Sequence, residues 1–108
     1  MDNYKIICTT TDSIEISDKI KTTLLLEKLS VCVQEITNIS SSYIWNNKIT
    51  HEKEILLIIK TNKKNLHRVV DAINRIHNYE NPEIISYDFN IMTDLYTKWF
   101  DATINENE

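Results

Sequence analysis

The chain contains no glycine in its 108 residues, and this absence limits both its turns and its ligands. Glycine adopts positive φ at no steric cost, so the tight turns here must use Asn, Asp or Ser instead. The loops that cradle phosphate in Walker-type and dinucleotide-binding proteins need several glycines. The sequence therefore predicts turns built on asparagine and excludes those nucleotide-binding loops.

Composition predicts a soluble, cytoplasmic protein of one domain over 1–108, with a core over about 4–103 and a frayed tail at 105–108. A hydrophobic fraction of 42% is enough for a packed core. The net charge is −4 with mixed signs and no basic face, so nucleic acid is not expected as a partner. No signal peptide is expected from the polar first residues, and the sequence has no apolar run of the ~20 residues that a membrane helix needs.

The first half of the chain alternates between strand and helix patterns. A short apolar run predicts a strand over about 4–10, and apolar residues at helical spacing predict a helix over about 13–29. Asp12 and Glu15 fit a capping box at the start of that helix. Strand character returns over 30–45, which completes a β-α-β unit.

The second half repeats this alternation after a turn. The Asn-Asn pair at 46–47 tolerates positive φ and predicts the turn of a long hairpin. The nearly continuous apolar segment at 54–61 is typical of a strand buried on both faces. One apolar face then runs over 66–77, with Asn62 as the expected cap, and a last strand is predicted over 83–92.

A short final helix over about 94–102 is expected to turn Leu95, Trp99 and Tyr96 inward. The order β-α-β-β-α-β plus this C-terminal helix predicts an α+β, ferredoxin-like sandwich with sheet order 4-1-3-2. The first and third strands form the central pair, which is predicted to be parallel. Two helices would cover one face of the sheet. The other face keeps many apolar residues, which indicates an oligomer.

Six strings give the chain a family resemblance. They are the segments 8–10, 24–33, 42–49, 54–61, 77–85 and 96–99. In this order and at these spacings the chain resembles the CutA family, the divalent-cation-tolerance proteins, over roughly 4–100. Two strings are specific when taken together: His-x-Tyr-Glu-x-Pro-Glu at 77–83, which holds the only proline, and Ile-Lys-Thr at 59–61. Pro82 stops a helix and favours extended geometry at Asn81, so the first string is a fixed junction before a strand.

The resemblance implies a tight homotrimer of ferredoxin-like subunits, in which the long hairpin extends the sheet of a neighbour. Tyr43 and Trp45, on the hairpin, are then expected at the trimer interface. The family is associated with tolerance of copper and other divalent cations, and some members bind copper. Its architecture is similar to that of the trimeric PII signalling proteins. No obligatory cofactor is implied.

By the same resemblance, Cys8 and His77 are the expected copper ligands, and an oxygen of Glu83 would complete the site. The chain departs from the family at Asn78, where a proline is usual, and at Ile76, where some members carry a second histidine. Two alternatives remain open: Cys8 is an inert buried side chain, and His77 is a histidine that interacts with the carbonyls at a helix end.

Lys60, Tyr79 and Cys32 are the remaining residues with an expected role. Lys60, Tyr79 and Glu83 form either a hydrogen-bond and ion-pair network or the polar lining of a cleft between subunits. Cys32 should lie ~10 Å from Cys8 with a strand between them, which is too far for a disulfide.

Three functions are compatible with the sequence. No nucleophile is paired with a base and an orienting acid, so a non-enzymatic role is expected. The leading interpretation is a trimeric protein of the response to metal ions. The alternatives are a PII-like sensor that binds small molecules in clefts between subunits and a structural trimer that presents surfaces to a partner protein.

Overall fold

The computed structural model describes residues 3–105. The elements in chain order are β1 Tyr4–Thr11, α1 Ile14–Leu26, β2 Cys32–Trp45, β3 Lys48–Asn62, α2 Leu66–Ile76, β4 Ile84–Asp88 and α3 Asp94–Thr103. The strands form one sheet in the order β2-β3-β1-β4. This confirms the α+β, ferredoxin-like fold and the predicted sheet order.

The prediction of a parallel central pair is wrong. β1 and β3 run antiparallel, with Tyr4 opposite Asn62 and Thr11 opposite Ile55. The connections explain the difference. A two-residue turn forces β2 and β3 to be antiparallel, while the crossover through α1 makes β1 and β2 point the same way. β3 must therefore oppose β1, and all neighbouring strands in the sheet are antiparallel.

The hairpin turn forms where the asparagine pair predicted it. Asn46 and Asn47 have φ values of 51° and 61°, so both occupy the left-handed region that a type I′ turn requires. Asn38, with φ of 61°, lies in a β-bulge between Ile36 and Ile39. Because the chain has no glycine, asparagine supplies positive φ at all three positions.

The bulge at Asn38 changes which residues of β2 face each side of the sheet. Before it, Ile36 stands opposite Leu56; after it, Ile39 stands opposite Glu54. β2 therefore advances one residue more than β3 across the bulge. Since successive side chains on a strand alternate between faces, every later residue of β2 is moved to the other face of the sheet.

Helix α1 begins one residue later than predicted. Ser13, not Asp12, is the N-cap, and its Oγ accepts a hydrogen bond from the backbone N–H of Ile16 at 3.2 Å. Ser13 has the extended backbone that a cap needs, with φ of −114° and ψ of 120°. Its hydroxyl also contacts Glu15 at 3.3 Å.

The same helix ends at Leu26 rather than at 29. Lys28 has φ of 57° and takes the left-handed position that glycine usually fills. The N–H of Leu29 donates to the carbonyl of Leu24, and that of Lys28 donates to the carbonyl of Leu25. These two bonds form a Schellman motif, which satisfies the last carbonyls and turns the chain toward β2.

The main core lies between the sheet and the pair α1 and α2. The sheet contributes odd-numbered residues of β1 and β3, and the helices contribute their apolar faces. The buried members are Ile7, Leu57, Ile59, Ile20, Leu24, Leu29, Val69, Ala72 and Ile73. The opposite face of the sheet, called here the open face, carries the even-numbered residues of β1 and β3, such as Cys8 and Ile58.

Helix α3 covers one end of the open face. Phe100 is fully buried and packs edge-on against Tyr4, with ring centroids 5.1 Å apart, and against Phe89. Phe89 and Ile91 belong to this second cluster instead of the sheet. That packing explains why β4 ends at Asp88, although strand was predicted to residue 92.

The predicted orientation of α3 is wrong at three positions. Leu95 is 82% exposed, and Tyr96 and Trp99 are exposed as well, whereas Phe100 turns inward. Apolar spacing alone does not identify which stripe of a short helix is buried. The aromatic cluster at the end of the sheet decides it, because only Phe100 reaches Tyr4 and Phe89.

Hydrogen bonds of Asn62 and Asn65 hold the turn before α2 and the segment after α3 in place. The N–H of Asn65 donates to Oδ1 of Asn62 at 2.9 Å, so Asn62 stabilises the turn before α2 while Asn65 takes the N-cap position. Asn65 Nδ2 in turn donates to the carbonyl of Asn105, whose N–H donates to the carbonyl of Lys28. Asn105 is therefore anchored, not frayed, and the rest of the predicted frayed tail lies outside the described residues.

The contrast between Phe100 and Leu95 gives a direct test of this orientation. Phe100→Ala is expected to lower the free energy of unfolding by ~3–5 kcal/mol, because it leaves a cavity in the aromatic cluster. Leu95→Ala, on the same helix, should change it by less than ~0.5 kcal/mol. Chemical denaturation of both variants measures the difference. Equal effects would contradict the orientation of α3.

Candidate functional site

A cleft of about 830 Å³ opens on the open face between the hairpin and the junction at 77–83. The junction connects α2 to β4, and β1 lies beneath it. Residues from three elements and the junction line the cleft: Thr10, Ser41, Ser42, Tyr43, Trp45, Thr50, Glu52, Glu54, Tyr79, Glu80, Asn81, Pro82 and Glu83. The string at 77–83 thus forms one wall of the cleft.

The bulge at Asn38 places the aromatic residues of the hairpin in this cleft. Beyond it, Tyr43 pairs with Thr50 and Trp45 pairs with Lys48. The odd-numbered residues of β2 therefore share a face with Glu52 and Glu54 of β3. Without the extra residue, the two aromatic side chains would point to the opposite side of the hairpin.

Glu54 is the buried carboxylate of the cleft. It is only 7% exposed, and its Oε2 accepts a hydrogen bond from the Tyr79 hydroxyl at 2.7 Å. Burial, followed by that bond and by the negative charges of Glu54, Asp12 and Glu52, raises the pKa of Tyr79 far above its usual value. The phenol therefore stays protonated and keeps donating to the carboxylate.

His77 fixes the junction to the end of β1. Its Nδ1 accepts a hydrogen bond from the backbone N–H of Tyr79 at 3.0 Å. The proton of a neutral imidazole must then be on Nε2, which lies 2.8 Å from the carbonyl of Thr10 and donates to it. The ring also packs against that of Tyr79, with centroids 4.8 Å apart. Both ring nitrogens are engaged within the subunit.

Asn78 adds a second attachment between the junction and β1. Its Oδ1 accepts from the Thr11 hydroxyl at 2.6 Å, and its Nδ2 donates to Asp12 at 2.9 Å. The proline that the resemblance leads one to expect at this position could not make either bond, because it has no side-chain amide. Asn78 therefore replaces the rigidity of a proline with hydrogen bonds.

The cleft is negatively charged. Glu52, Glu54, Glu80 and Glu83 line it, and no Lys or Arg of residues 3–105 does so. Interaction with the Glu52 carboxylate also raises the pKa of the Tyr43 phenol. A cleft with four carboxylates and no basic side chain in its wall attracts cations.

Comparison with known families identifies the chain. The sequence matches the profile of the CutA1 divalent ion tolerance protein over residues 5–103. The chain belongs to the CutA1 family. This confirms the resemblance found in the strings of the sequence.

Relatives in sequence and structure agree with this family. The chloroplastic CutA protein of Arabidopsis thaliana is 32% identical over 94 residues, which is 87% of this chain and 52% of that protein. The CutA1 structure from Ehrlichia chaffeensis has a TM-score of 0.86 at 31% identity and covers 95% of this chain and 96% of that one. The periplasmic divalent cation tolerance protein CutA from Archaeoglobus fulgidus has a TM-score of 0.88 at 28% identity, with coverages of 94% and 99%.

Relatives of the CutA1 family differ in length and in compartment. The chain spans about half the length of its plant, Danio rerio and Xenopus laevis relatives. One relative is named as chloroplastic and another as periplasmic, so the family does not decide the compartment of this chain. None of the helices in residues 3–105 is long and apolar enough to span a membrane.

The structure brings only some of the sequence-predicted site residues together. Glu83 and Tyr79 line the cleft, and so do Tyr43 and Trp45, both of which are exposed in the single subunit. Lys60 lies on β3 six positions after Glu54, which is ~20 Å along an extended strand. Lys60 is therefore outside the cleft of its own subunit.

The two cysteines are free, as the strand order predicted. Cys8 is buried on the open face, and its Sγ lies 3.9 Å from the hydroxyl of Tyr87. β3 lies between Cys8 on β1 and Cys32 on β2.

The predicted copper ligands do not form a ligand set within one subunit. His77 has no free lone pair in this arrangement, because Nδ1 accepts one hydrogen bond and Nε2 donates another. Cys8 is not part of the cleft wall that contains Glu83. Across the described part of the chain, no three His, Cys, Asp or Glu side chains are grouped to hold a metal ion.

Sequence reasoning missed Glu54 and Glu52 as site residues. A signal was present: Glu54 is in phase with Leu56 and Ile58 at the start of a strongly apolar strand, so it should share their half-buried face. It also missed a contact on the hairpin, where Ser42 Oγ lies 2.8 Å from His51 Nδ1. That pair is exposed and joins opposite residues of β2 and β3, which fits a cross-strand contact.

Tyr79→Phe tests the bond that holds the buried carboxylate. The variant is expected to lose ~1–3 kcal/mol of unfolding free energy near pH 7, because Glu54 keeps its burial but loses its donor. In the wild type, the raised pKa of Tyr79 means that stability is full below pH ~10 and falls as pH rises above it. Denaturant midpoints across pH 7–11 should show this alkaline loss in the wild type and a smaller one in Tyr79→Phe. Identical pH profiles would contradict the role of Tyr79.

Proposed function

We propose that the chain acts as a homotrimer in the cellular response to divalent metal ions, in the cytoplasm and without catalysis. The observation that carries the trimer is the uncovered apolar part of the open face. Helix α3 covers only one end of it, and Ile36, Ile85 and Tyr87 remain about half exposed, at 46%, 52% and 50%. Monomeric proteins rarely leave such a contiguous patch in water.

The hairpin supports the same arrangement. It is built from strands of 14 and 15 residues, and its far end exposes Ile44, Trp45 and Ile49. β2 is also an edge strand of the sheet, so its outer backbone groups are available for pairing. Closed cyclic assembly is the arrangement that removes such edges and buries such side chains without open-ended growth.

A trimer is expected in solution at micromolar concentration. Light scattering should give about three times the subunit mass of 12.7 kDa, and the apparent stability should rise with protein concentration because folding and assembly are coupled. A mass equal to one subunit would contradict the trimer.

Trp45→Ala tests the hairpin as the contact between subunits. Because Trp45 is more than half exposed in the subunit, its loss should cost the subunit fold little, whereas burial in a trimer would make it cost ~3–5 kcal/mol of assembly stability. Leu26→Ala is the matched control, since Leu26 is an exposed apolar residue at the end of α1. An unchanged melting temperature and mass in Trp45→Ala would show that Trp45 is not an interface residue.

Copper at Cys8, His77 and Glu83 is proposed only for the assembled protein. The metal would have to replace one of the two hydrogen bonds that engage the ring nitrogens of His77, and neighbouring chains would have to supply further donors. Cys8→Ser and His77→Ala should each reduce copper uptake by the reduced trimer, measured by calorimetry. His77→Gln is the informative companion, because it keeps a side chain that can hydrogen-bond to the carbonyl of Thr10. Equal uptake by wild type, Cys8→Ser and His77→Ala would remove these residues as ligands.

The second candidate function is a small-molecule sensor, and the cleft is the observation that favours it. Its volume of about 830 Å³ is within the range of ~300–1,000 Å³ that is usual for ligand sites. One wall is fixed to β1 through His77 and Asn78, so the cleft is largely preformed. In this function, the occupied cleft would report its ligand to a partner through the surface of the trimer.

A further inference from the structure

The far part of the hairpin, residues 39–53, depends on three asparagines in the left-handed conformation. Asn38 forms the bulge, and Asn46 and Asn47 form the two-residue turn, with φ values of 61°, 51° and 61°. This conformation costs an L-residue free energy that glycine would avoid, although asparagine tolerates it better than most residues. The pairing of β2 with β3 in this part of the hairpin therefore requires three conformations that few side chains accept.

A second register of the same hairpin needs only one of these conformations. If β2 continued past Ile36 without the bulge, Tyr43 would stand opposite Ile49 instead of Thr50, and the turn would contain the three residues 45–47. Three-residue turns commonly place a left-handed residue last, and Asn47 already has that conformation. Asn38 and Asn46 would both return to negative φ. The second register is therefore accessible to this backbone.

The local sequence does not select between the two registers. Segment 40–42 consists of three serines, so a slip by one residue exchanges serine for serine. Tyr43, Ile44 and Trp45 are 38%, 73% and 56% exposed, so both faces of the hairpin end carry large apolar side chains in water. Register is weakly specified where neither face of a strand is buried. Within the subunit, burial does not favour one register over the other.

Two surface contacts favour the observed register. Ser42 Oγ lies 2.8 Å from His51 Nδ1, and the phenol of Tyr43 interacts with the carboxylate of Glu52. A slip would move Ser42 and Tyr43 to the faces opposite those partners. Contacts between exposed residues contribute little each, so the two registers are separated by a small difference in free energy.

We propose that the far part of the hairpin is a two-register switch, held in its observed state by Asn38 and Asn46. In the second register, Tyr43 leaves the cleft and Trp45 becomes part of the turn. The register therefore decides whether these two rings line the cleft. A ligand or a neighbouring subunit that contacts either ring selects the observed register. The switch belongs to the hairpin of one subunit, so it is independent of copper and of the trimer.

NMR spectroscopy on the full chain reports the register through contacts between the backbone protons of opposite residues. Thr50 faces Tyr43 in the observed register and Ser42 in the second. Asn38→Val should shift the balance toward the second register by about tenfold, because a β-branched side chain strongly disfavours positive φ. Asn46→Val should act in the same direction.

The double variant Asn38→Val/Asn46→Val gives the sharpest result. The two positions lie at opposite ends of the far hairpin, so their effects should combine to about a hundredfold and make the second register the main state. Asn38→Gly is the conservative variant, since glycine adopts positive φ freely, and it should keep Thr50 opposite Tyr43. Ser40→Val is the matched control. It adds the same side chain to the same strand at an exposed position with ordinary backbone geometry, and it should also keep the observed register.

Three results would overturn the proposal. The first is a double variant that keeps Thr50 opposite Tyr43. The second is a slip in Asn38→Gly or Ser40→Val as large as that in Asn38→Val, which would show that positive φ at Asn38 does not hold the register. The third is loss of all cross-strand contacts over 39–53 while Thr10 stays opposite Leu56, which would show that the hairpin unfolds instead of slipping. Light scattering on the same samples reports the trimer separately.

Discussion

The single extra residue at Asn38 is the constraint on which the arrangement of the cleft depends. A strand alternates its side chains with a period of two, so one inserted residue reverses the faces of everything that follows. The bulge moves Tyr43 and Trp45 to the side of Glu52 and Glu54. The bulge lies opposite Ile55, the last residue of β3 that pairs with β1, so only the part of the hairpin beyond the β1–β3 pairing is redirected.

The second constraint is the attachment of the junction to the sheet. His77 bonds to Thr10, and Asn78 bonds to Thr11 and Asp12. Tyr79 bonds to Glu54. Each bond joins residues far apart in sequence, so the wall of the cleft is held by the fold rather than by its own loop. The histidine is used here as a structural donor and acceptor. Both ring nitrogens of His77 are engaged in these hydrogen bonds. Within one subunit, the imidazole therefore cannot bind a metal ion while the junction keeps both bonds.

One end of the open face is covered within the subunit, and the rest of it is not. At one end of the open face, α3 buries Phe100 against Tyr4 and Phe89, which makes that end self-sufficient. The rest of the face and the tip of the hairpin leave apolar side chains in water. The cleft lies between the hairpin and the junction, so a neighbouring subunit at the hairpin would lie beside the cleft. Assembly and ligand binding would then be adjacent events.

Much of the fold follows from local sequence. Hydrophobic spacing determined the order of strands and helices, and the asparagine pair at 46–47 determined the hairpin turn, because these signals act between residues close in the chain. The strings of the CutA family determined its membership. The ends of the elements were harder to predict from the sequence. The left-handed conformation of Lys28 ends α1, and packing against α3 ends β4 early. Both depend on contacts that local sequence patterns do not contain.

The tertiary structure alone decided the site. The two-residue turn between β2 and β3 and the crossover through α1 together determined the strand directions. An aromatic cluster formed by three separate segments determined which side of α3 faces inward. The sequence named Tyr79 and Glu83 but could not show that Glu54 is buried beneath the junction, or that Lys60 is far from it. Burial and hydrogen bonding between distant residues exist only once the chain is folded, because they depend on which strands become neighbours and on the faces that the bulge gives them.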